Sequence, residues 1–349
     1  MKTSFVSTSA VNQALRYQMM RLQSDLVKAQ TEMSSGSFAD AGLQLGSRTG
    51  QTVSFRRDMD RLEAIADANS VATARMAATQ NGLSQITSAA QTYLSTLTAA
   101  VSGDANAKIT SADATAAFTS LRDVVNGSLN GEYIFAGVST DVKPLADFSD
   151  PASTSRMAFD AAFTAQFGFS ITDPQAATIS AGALEAFIDG PVNDLFLGSG
   201  WEGTSSFASN QTITSRITMT DTAQTSLSAN AAGIRKLAMS TALAQALLEG
   251  PLNDSARQLV AERGASLVGS AIADIANAQS EIGVTQQRVA RANERIEMQV
   301  SLFKTGLQEL EGVDPYEAQT RVTNLLTQIE TSYALTARIQ QLSLLNYLP

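Results

Sequence analysis

The strongest constraint on this chain is an apolar repeat of period seven in its C-terminal half. Six apolar residues follow one another at intervals of seven: Ile275, Ile282, Val289, Ile296, Phe303 and Leu310. Seven residues make almost two helical turns, so this repeat predicts one long α-helix with a continuous apolar face. The residues three positions further on are small or polar, which favours close packing against several neighbouring helices.

The N-terminal part carries similar stripes. A first helix is predicted from the steps of three and four that join Leu15, Met19, Leu22, Leu26, Ala29 and Met33, and Gly36 ends it. A second helix is predicted from Val53 to about Ala100, which makes it on the order of 70 Å long. A compact domain does not enclose such a helix, so the pattern favours a rod. Ser111 is the predicted N-cap of a further helix.

The last predicted helix runs from Pro315 to about Tyr347. Gly312 ends the helix before it, Asp314 is the expected N-cap, and Glu317 completes a capping box. The apolar stripe of this last helix consists of Val322, Leu325, Ile329, Tyr333, Ile339, Leu342 and Leu345. Further apolar residues such as Leu326 and Leu335 lie off that stripe. Two interpretations are open: the terminal helices form the core of a monomeric bundle, or they are completed by other subunits of an assembly.

The middle of the chain has a different composition. Nine of the fourteen Phe and the single Trp lie between Phe135 and Phe207. Alternation in "FTAQFGFSI", from Phe163 to Ile171, and in "TITSRITMT" predicts strands. One helix is expected around Ala183–Ile188, and helix is expected to resume near Asp221.

These patterns predict a mainly α fold with a β-rich middle domain. The two chain ends are expected to form a long antiparallel helical-hairpin rod, with the terminal helices paired as a coiled coil and the β-rich domain at the distal end. The expected domains are residues 1–40 with 312–349, residues 41–135 with 222–311, and residues 136–221.

Composition excludes several kinds of site. The chain has no Cys and no His, which removes thiolate and imidazole catalysis and the usual zinc ligands. A net charge of −9 gives no general attraction for nucleic acid or anionic membranes. No catalytic, cofactor or metal site is expected. An N-terminal secretory signal and a membrane-spanning run are not expected either.

Three motif matches have simpler explanations than chemistry. "GSGWEG" at Gly198–Gly203 fits a nucleotide-binding pattern, but no parallel sheet is predicted around it. Asn126, Asn210 and Asn253 fit the N-glycosylation pattern in an Asn- and Ser-rich chain. The carboxylates Asp147, Asp150 and Asp160 lie near the Phe cluster, where turn Asp is common.

Four segments resemble the axial proteins of the bacterial flagellum, and among them the hook–filament junction proteins. They are "QMMRLQSDLVKAQTEMSSG" (18–36), "NGSLNGEYIFAG" (126–137), the 275–310 repeat and "GVDPYEAQTRVTNLLTQIETSYALTARIQQLSLLNYL" (312–348). The "DPYEA" and "SLLNYL" of the last segment are the most specific to junction proteins. The loop 37–53 departs from the basic, Asp-rich loop of flagellins, so its contacts stay open.

The resemblance implies a structural, non-enzymatic protein. Such proteins form a ring that connects the hook, through hook-associated protein 1, to the flagellin filament. The resemblance also implies export through the flagellar secretion channel without a cleaved signal, read from a segment such as Thr3–Gln13, with a chaperone bound beforehand. Leu15, Met19, Leu22 and Leu26 are expected to pair with Ile329, Tyr333, Ile339, Leu342 and Leu345. A minor flagellin is the alternative, and an enzyme or binding module in the middle domain is a third possibility.

Overall fold

The computed structural model describes residues 8–345, and the burial of side chains from residue 10 to residue 338. The chain divides into two compact units: residues 1–63 with 296–349 (unit 1) and residues 64–295 (unit 2). The α-helices in chain order are α1 (Thr8–Ser35), α2 (Ala41–Leu45), α3 (Thr49–Val101), α4 (Ala107–Val125), α5 (Thr154–Phe167), α6 (Ala181–Phe187), α7 (Asn193–Phe196), α8 (Ala232–Leu247), α9 (Asp254–Glu311) and α10 (Pro315–Leu345). The strands are β1 (Ser128–Leu129), β2 (Glu132–Tyr133), β3 (Thr214–Arg216) and β4 (Thr222–Gln224).

The long helices follow the apolar stripes. The repeat that begins at Ile275 lies within the single helix α9, where Ile275, Val289 and Ile296 are buried. α10 begins as predicted, because the Asp314 side chain accepts a hydrogen bond from the Tyr316 amide at 2.8 Å. The predicted capping box is incomplete, since the Glu317 carboxylate accepts from Arg321 at 3.0 Å.

Unit 1 contains α1, α2, α10 and the flanking parts of α3 and α9. α1 ends as predicted at Gly36, which has a left-handed φ of +68°. The rings of Phe55 on α3 and Phe303 on α9 lie 5.4 Å apart. Gly306 faces Phe55, since a Cβ at this position would lie 3.1 Å from the ring. The small residue in the α9 repeat therefore allows close helix packing.

Unit 2 is built on an antiparallel pair of helices. The Gln80 side chain of α3 donates to the carbonyl oxygen of Gln279 on α9 at 2.6 Å, and Gly264 faces Leu97 further along the pair. α8 is buried almost all round, between this pair and the rest of the unit. Helix α4 starts earlier than predicted: Asn106 caps it by accepting from the Ile109 amide at 2.9 Å. Ser111 lies inside α4 and donates to Glu249.

The predicted β-rich middle is wrong for most of its length. Residues 154–167 form α5, capped by Ser153 and ended by Gly168 at a φ of +83°. The Phe residues here pack with helical spacing, because the rings of Phe163 and Phe167 lie 4.7 Å apart. The alternating pattern in the sequence combines two elements: Phe163 and Phe167 lie on α5, whereas Phe169 follows Gly168, after the helix has ended. The helix predicted near Ala183 is confirmed as α6.

Aromatic side chains form the core of this middle part. The buried rings of Phe159, Phe163 and Phe187 make edge-to-face contacts, with centroids 5.5–5.7 Å apart. Phe148 meets Phe159 at 5.6 Å in the same orientation. This geometry suits aromatic pairs, so the Phe-rich segment is explained by core packing.

Two short antiparallel hairpins complete unit 2. β1 and β2 are joined by Asn130 and Gly131, both with positive φ, as a two-residue hairpin turn requires. β3 confirms the strand predicted in "TITSRITMT", whereas β4 lies where helix was expected to resume near Asp221, and the next helix, α8, begins only at Ala232. Ile217, just after β3, packs with Met76 of α3 and Val289 of α9 in a small separate core. Across residues 8–345, no helix is both long and apolar enough to span a membrane.

Candidate functional site: the paired terminal helices

Helices α1 and α10 pack against each other along unit 1. Ala29 of α1 is buried, and so are Ala318, Val322 and Ile329 of α10. Among the side chains that the structure describes, fully buried apolar residues are therefore few for two helices of this length. The pair consequently gains less hydrophobic stabilisation than the helices of unit 2 do.

The predicted interface residues divide by burial. Leu15, Met19, Leu22 and Leu26 are half-buried along α1, and Ile329 is buried. Tyr333 is 54% exposed, although its hydroxyl accepts a hydrogen bond from Gln23 at 3.2 Å. The backbones of Ile339, Leu342 and Leu345 belong to α10, but their side chains lie outside the described part of the chain.

A groove of about 760 Å³ opens beside this pairing. Its lining includes Leu15, Met19 and Met20 of α1 and Tyr333 and Thr336 of α10. Three of the predicted interface residues, Leu15, Met19 and Tyr333, therefore line this groove.

Several exposed apolar residues were missed by the sequence analysis. Tyr17 and Val27 lie on α1, off its main stripe, and each is well exposed. In the sequence, these residues could have been recognised as apolar side chains outside the heptad positions. Met20 of α1 is exposed as well. Leu326 and Leu335, expected to remain off the stripe of α10, are also exposed. Both helices thus leave apolar surface that the described residues do not cover.

One ion pair joins the terminal helices near the end of α1. The Arg321 guanidinium of α10 donates to the Glu32 carboxylate of α1 at 2.9 Å. Its other amino group donates to Glu317 at 3.0 Å. The Glu32 side chain is 12% exposed, whereas the Glu317 side chain is 69% exposed. The contact with Glu32 is consequently less screened by water.

Hydroxyl groups along α10 bond within their own helix. Each of the following donates to a carbonyl oxygen four residues earlier: Thr320, Thr323, Thr327, Thr331, Ser332 and Thr336. These hydroxyl protons are satisfied without water or a partner.

The Gly198–Gly203 motif is explained by packing. A Cβ at Gly198 would lie 2.8 Å from the carbonyl oxygen of Asp194, and one at Gly200 would lie 2.9 Å from the Leu195 Cα. Trp201 is buried, and its indole N–H donates to Asn230 at 2.8 Å. The glycines therefore make room for the preceding helix α7.

The other motif residues are held by internal contacts. The three Asn of the glycosylation patterns all bond within the chain: Asn126 with Leu145, Asn210 with Asn230, and Asn253 with Ile179. Asp147 pairs with Arg122 and Asp160 with Arg156, while Asp150 accepts from the Ala152 amide. These contacts account for the residues structurally.

Comparison with known protein families matches both ends of the chain. The N-terminal helical region of bacterial flagellin matches residues 6–140, and its C-terminal helical region matches residues 265–348. The two matches together cover more than half of the chain. This chain is a flagellin-like protein of the flagellar axis. A search of curated proteins found no match.

The candidate site of this flagellin-like protein lies in the matched regions, because these regions include all the described residues of α1 and α10. Residues 141–264, with α5 to α8, lie outside both matches. Proteins of the flagellin family are structural and not enzymes, and they are exported and self-assemble into the extracellular filament. The uncovered apolar surface of the terminal helices fits a protein that assembles.

Proposed function

We propose that this flagellin-like protein is flagellar hook-associated protein 3, the structural junction protein of the bacterial flagellum. In this role, a ring of subunits connects the hook, through hook-associated protein 1, to the flagellin filament. The sequence "DPYEA" after Gly312 and the finish "SLLNYL" support this proposal, because they resemble junction proteins. The departure of residues 37–53 from the flagellin pattern also favours a junction protein over a flagellin.

The observation that carries an assembly role is the incomplete burial of α1 and α10. Met20 is 61% exposed and Leu335 is 53% exposed, each on a helix with few charges. Burial of one such side chain contributes about 1.5–3 kcal/mol. Several of them per subunit, buried in a ring, would outweigh the cost of ordering the side chains.

The proposed assembly surface is formed by nine residues of the terminal helices. They are Leu15, Met19, Leu22 and Leu26 of α1 and Ile329, Tyr333, Ile339, Leu342 and Leu345 of α10. The half-burial of the α1 residues and the unfilled groove beside Tyr333 support this assignment. In the proposed ring, neighbouring subunits cover the apolar residues that one chain leaves exposed.

The proposed domain arrangement keeps three parts. Residues 1–40 with 312–349 form the inner wall, residues 41–135 with 222–311 form the helical part, and residues 136–221 form an outer domain. We further propose export through the flagellar secretion channel and a chaperone that covers the terminal helices beforehand. The candidate export segment Thr3–Gln13 lies in part outside the described residues.

A minor flagellin is the second candidate function. The matches to both helical regions of flagellin favour it as much as they favour a junction protein. The two functions differ in one property, because a flagellin polymerises into long filaments on its own. Purified protein that forms long filaments by electron microscopy would support the minor flagellin.

A deletion strain tests the junction function directly. Without the gene, cells should build hooks that lack filaments and release flagellin into the medium. Complementation with the intact gene should restore filaments, which excludes an effect on neighbouring genes. Normal filaments in the deletion strain would contradict the proposal.

A further inference from the structure

The end of α1, the end of α9 and the start of α10 meet at one place in unit 1. The amide of Phe38 donates to the carbonyl oxygen of Glu311 at 2.9 Å, and the amide of Val313 donates to that of Gly36 at 3.0 Å. Ser37 and Gly312 form the antiparallel bridge between these two bonds. We refer to residues 36–38 and 311–313 as the clip. It joins the segment that follows α1 to the segment between α9 and α10.

The clip depends on a glycine in each of its two segments. Gly36 has a φ of +68°, which other residues rarely adopt. A Cβ at Gly312 would lie 2.2 Å from the carbonyl oxygen of Gln308, so a larger residue does not fit. The backbone geometry of the clip is therefore specified by the sequence on both sides.

Two shielded carboxylates connect the clip to α1, α3, α9 and α10. Glu311, at the end of α9, is 7% exposed and pairs with Arg56 of α3. Glu32, near the end of α1, pairs with Arg321 of α10, and its other oxygen accepts from the Ala39 amide at 3.3 Å. Charged hydrogen bonds that are shielded from water hold their partners more strongly than exposed pairs do.

Most of the fully buried residues of the α1–α10 pair lie toward the clip, although Met33 of α1, next to the clip, is 45% exposed. Ala29 and Val322 are buried close to it, and Ile329 is buried two turns further on. Beyond that, Leu15 is only half-buried and Tyr333 is 54% exposed. The contacts that stabilise the pair are thus concentrated at the end that the clip holds.

We propose that the clip is the nucleation point at which α1 and α10 pair, and that the pairing extends from it toward both chain ends. Glu32 and Arg321 are 289 positions apart in sequence, so their first encounter would otherwise carry a large loop-closure cost. The loop is already closed once the clip has formed, so the neighbouring segments pair without a second closure cost. Each further turn then adds one short step to an existing helix pair. The Glu32–Arg321 ion pair is the first side-chain contact beyond the clip and sets the register of the pair.

Hydrogen exchange of the full-length protein tests this order. Amides of α1 and α10 should exchange most slowly next to the clip and progressively faster toward residues 10 and 338. In the variant Glu32→Gln, amides of both helices should exchange at least about tenfold faster, because the two helices open as one unit. The unfolding midpoint reported by Trp201 in unit 2 should stay unchanged.

Glu317→Gln is the matched control, because it removes the other carboxylate that binds the same Arg321. Its exposed contact should change exchange by less than about threefold. Equal exchange rates along both helices, or slower exchange toward the chain ends, would overturn the proposal. So would an effect of Glu32→Gln that is confined to one of the two helices.

Discussion

Asn69 donates its side-chain amide to the side-chain oxygen of Asn293 at 2.7 Å, within a buried stripe of α3 that is mostly apolar. The same amide donates to the carbonyl oxygen of Ile217 at 3.0 Å, while the Asn69 Oδ1 has no donor among the described residues. One buried side chain thus links α3, α9 and the β3–β4 hairpin. A buried amide costs stability, but it favours the single alignment in which its partners meet.

Removal of this amide should destabilise unit 2. Asn69→Ala leaves the Ile217 carbonyl and the Asn293 side chain without their donor, so the free energy of unfolding should fall by about 1–3 kcal/mol. Urea unfolding followed by Trp201 fluorescence measures this change. Asn81→Ala, at an exposed position of the same helix, should stay within about 0.5 kcal/mol. Equal effects of the two variants would contradict the structural role of Asn69.

Two glycines of unit 2 should respond in opposite directions to the same substitution. In Gly233→Ala the new methyl group would lie 2.9 Å from the Ala271 carbonyl oxygen and 2.7 Å from Ile275. We expect a loss of about 1–3 kcal/mol. Gly269 has open space around it inside α9, so Gly269→Ala should stabilise by up to about 1 kcal/mol. Denaturant midpoints of both variants check the prediction, and a destabilised Gly269→Ala would count against it.

Tyr93 should make stability sensitive to alkaline pH. Its buried hydroxyl donates to the Ser240 carbonyl oxygen at 3.2 Å, and burial raises the pKa of Tyr93 above the unfolded value of about 10. The neutral phenol therefore stabilises the fold fully below pH 10, and this contribution is lost as the pH rises further.

Tyr93→Phe isolates that contribution. At pH 8 the variant should be less stable by about 0.5–1.5 kcal/mol, because it lacks the hydrogen bond. Between pH 8 and pH 11, wild type should lose about 1.4 kcal/mol relative to the variant. Urea unfolding at each pH gives both values. Parallel pH profiles of the two proteins would show that Tyr93 does not titrate in this way.

The exposed apolar residues of α1 should matter for assembly and not for folding of the single chain. Met20→Asp places a charge on a 61% exposed position, so the free energy of unfolding should change by less than about 0.5 kcal/mol. Sedimentation should show that the variant no longer assembles with other subunits, because burial of a carboxylate in the interface costs free energy. Met157→Asp, at a 51% exposed position of α5, is the control and should assemble normally. Normal assembly of Met20→Asp would remove this face from the interface.

The long helices were predictable because each carries one regular signal. The repeat from Ile275 to Leu310 predicts α9, and the capping residue Asp314 predicts where α10 begins. The segment 163–171 was not predictable by period, because two elements separated by Gly168 together imitate an alternating strand. The structure shows a helix here, because Phe159, Phe163 and Phe167 lie four residues apart on α5.

The candidate site was predictable in position but not in extent. The stripes of α1 and α10 identified the helices that pair, yet Tyr333 of that stripe is exposed. Tyr17 and Val27 were missed because a heptad analysis follows one face of a helix. The clip was missed as well, because pairing between residues 36–38 and 311–313 has no signature in local sequence. Contacts between distant segments depend on how the whole chain folds.

The hydroxyl groups of α10 affect the free-energy cost of removing water from this helix. Threonine hydroxyls such as those of Thr323 and Thr327 already donate to their own backbone, so little hydrogen bonding is lost when solvent leaves them. Their methyl groups remain available for contact with another subunit. The free-energy cost of removing water from this helix surface is therefore lower than its many polar residues suggest. The surface of α10 can be exposed to water before assembly and can be buried by another subunit afterwards.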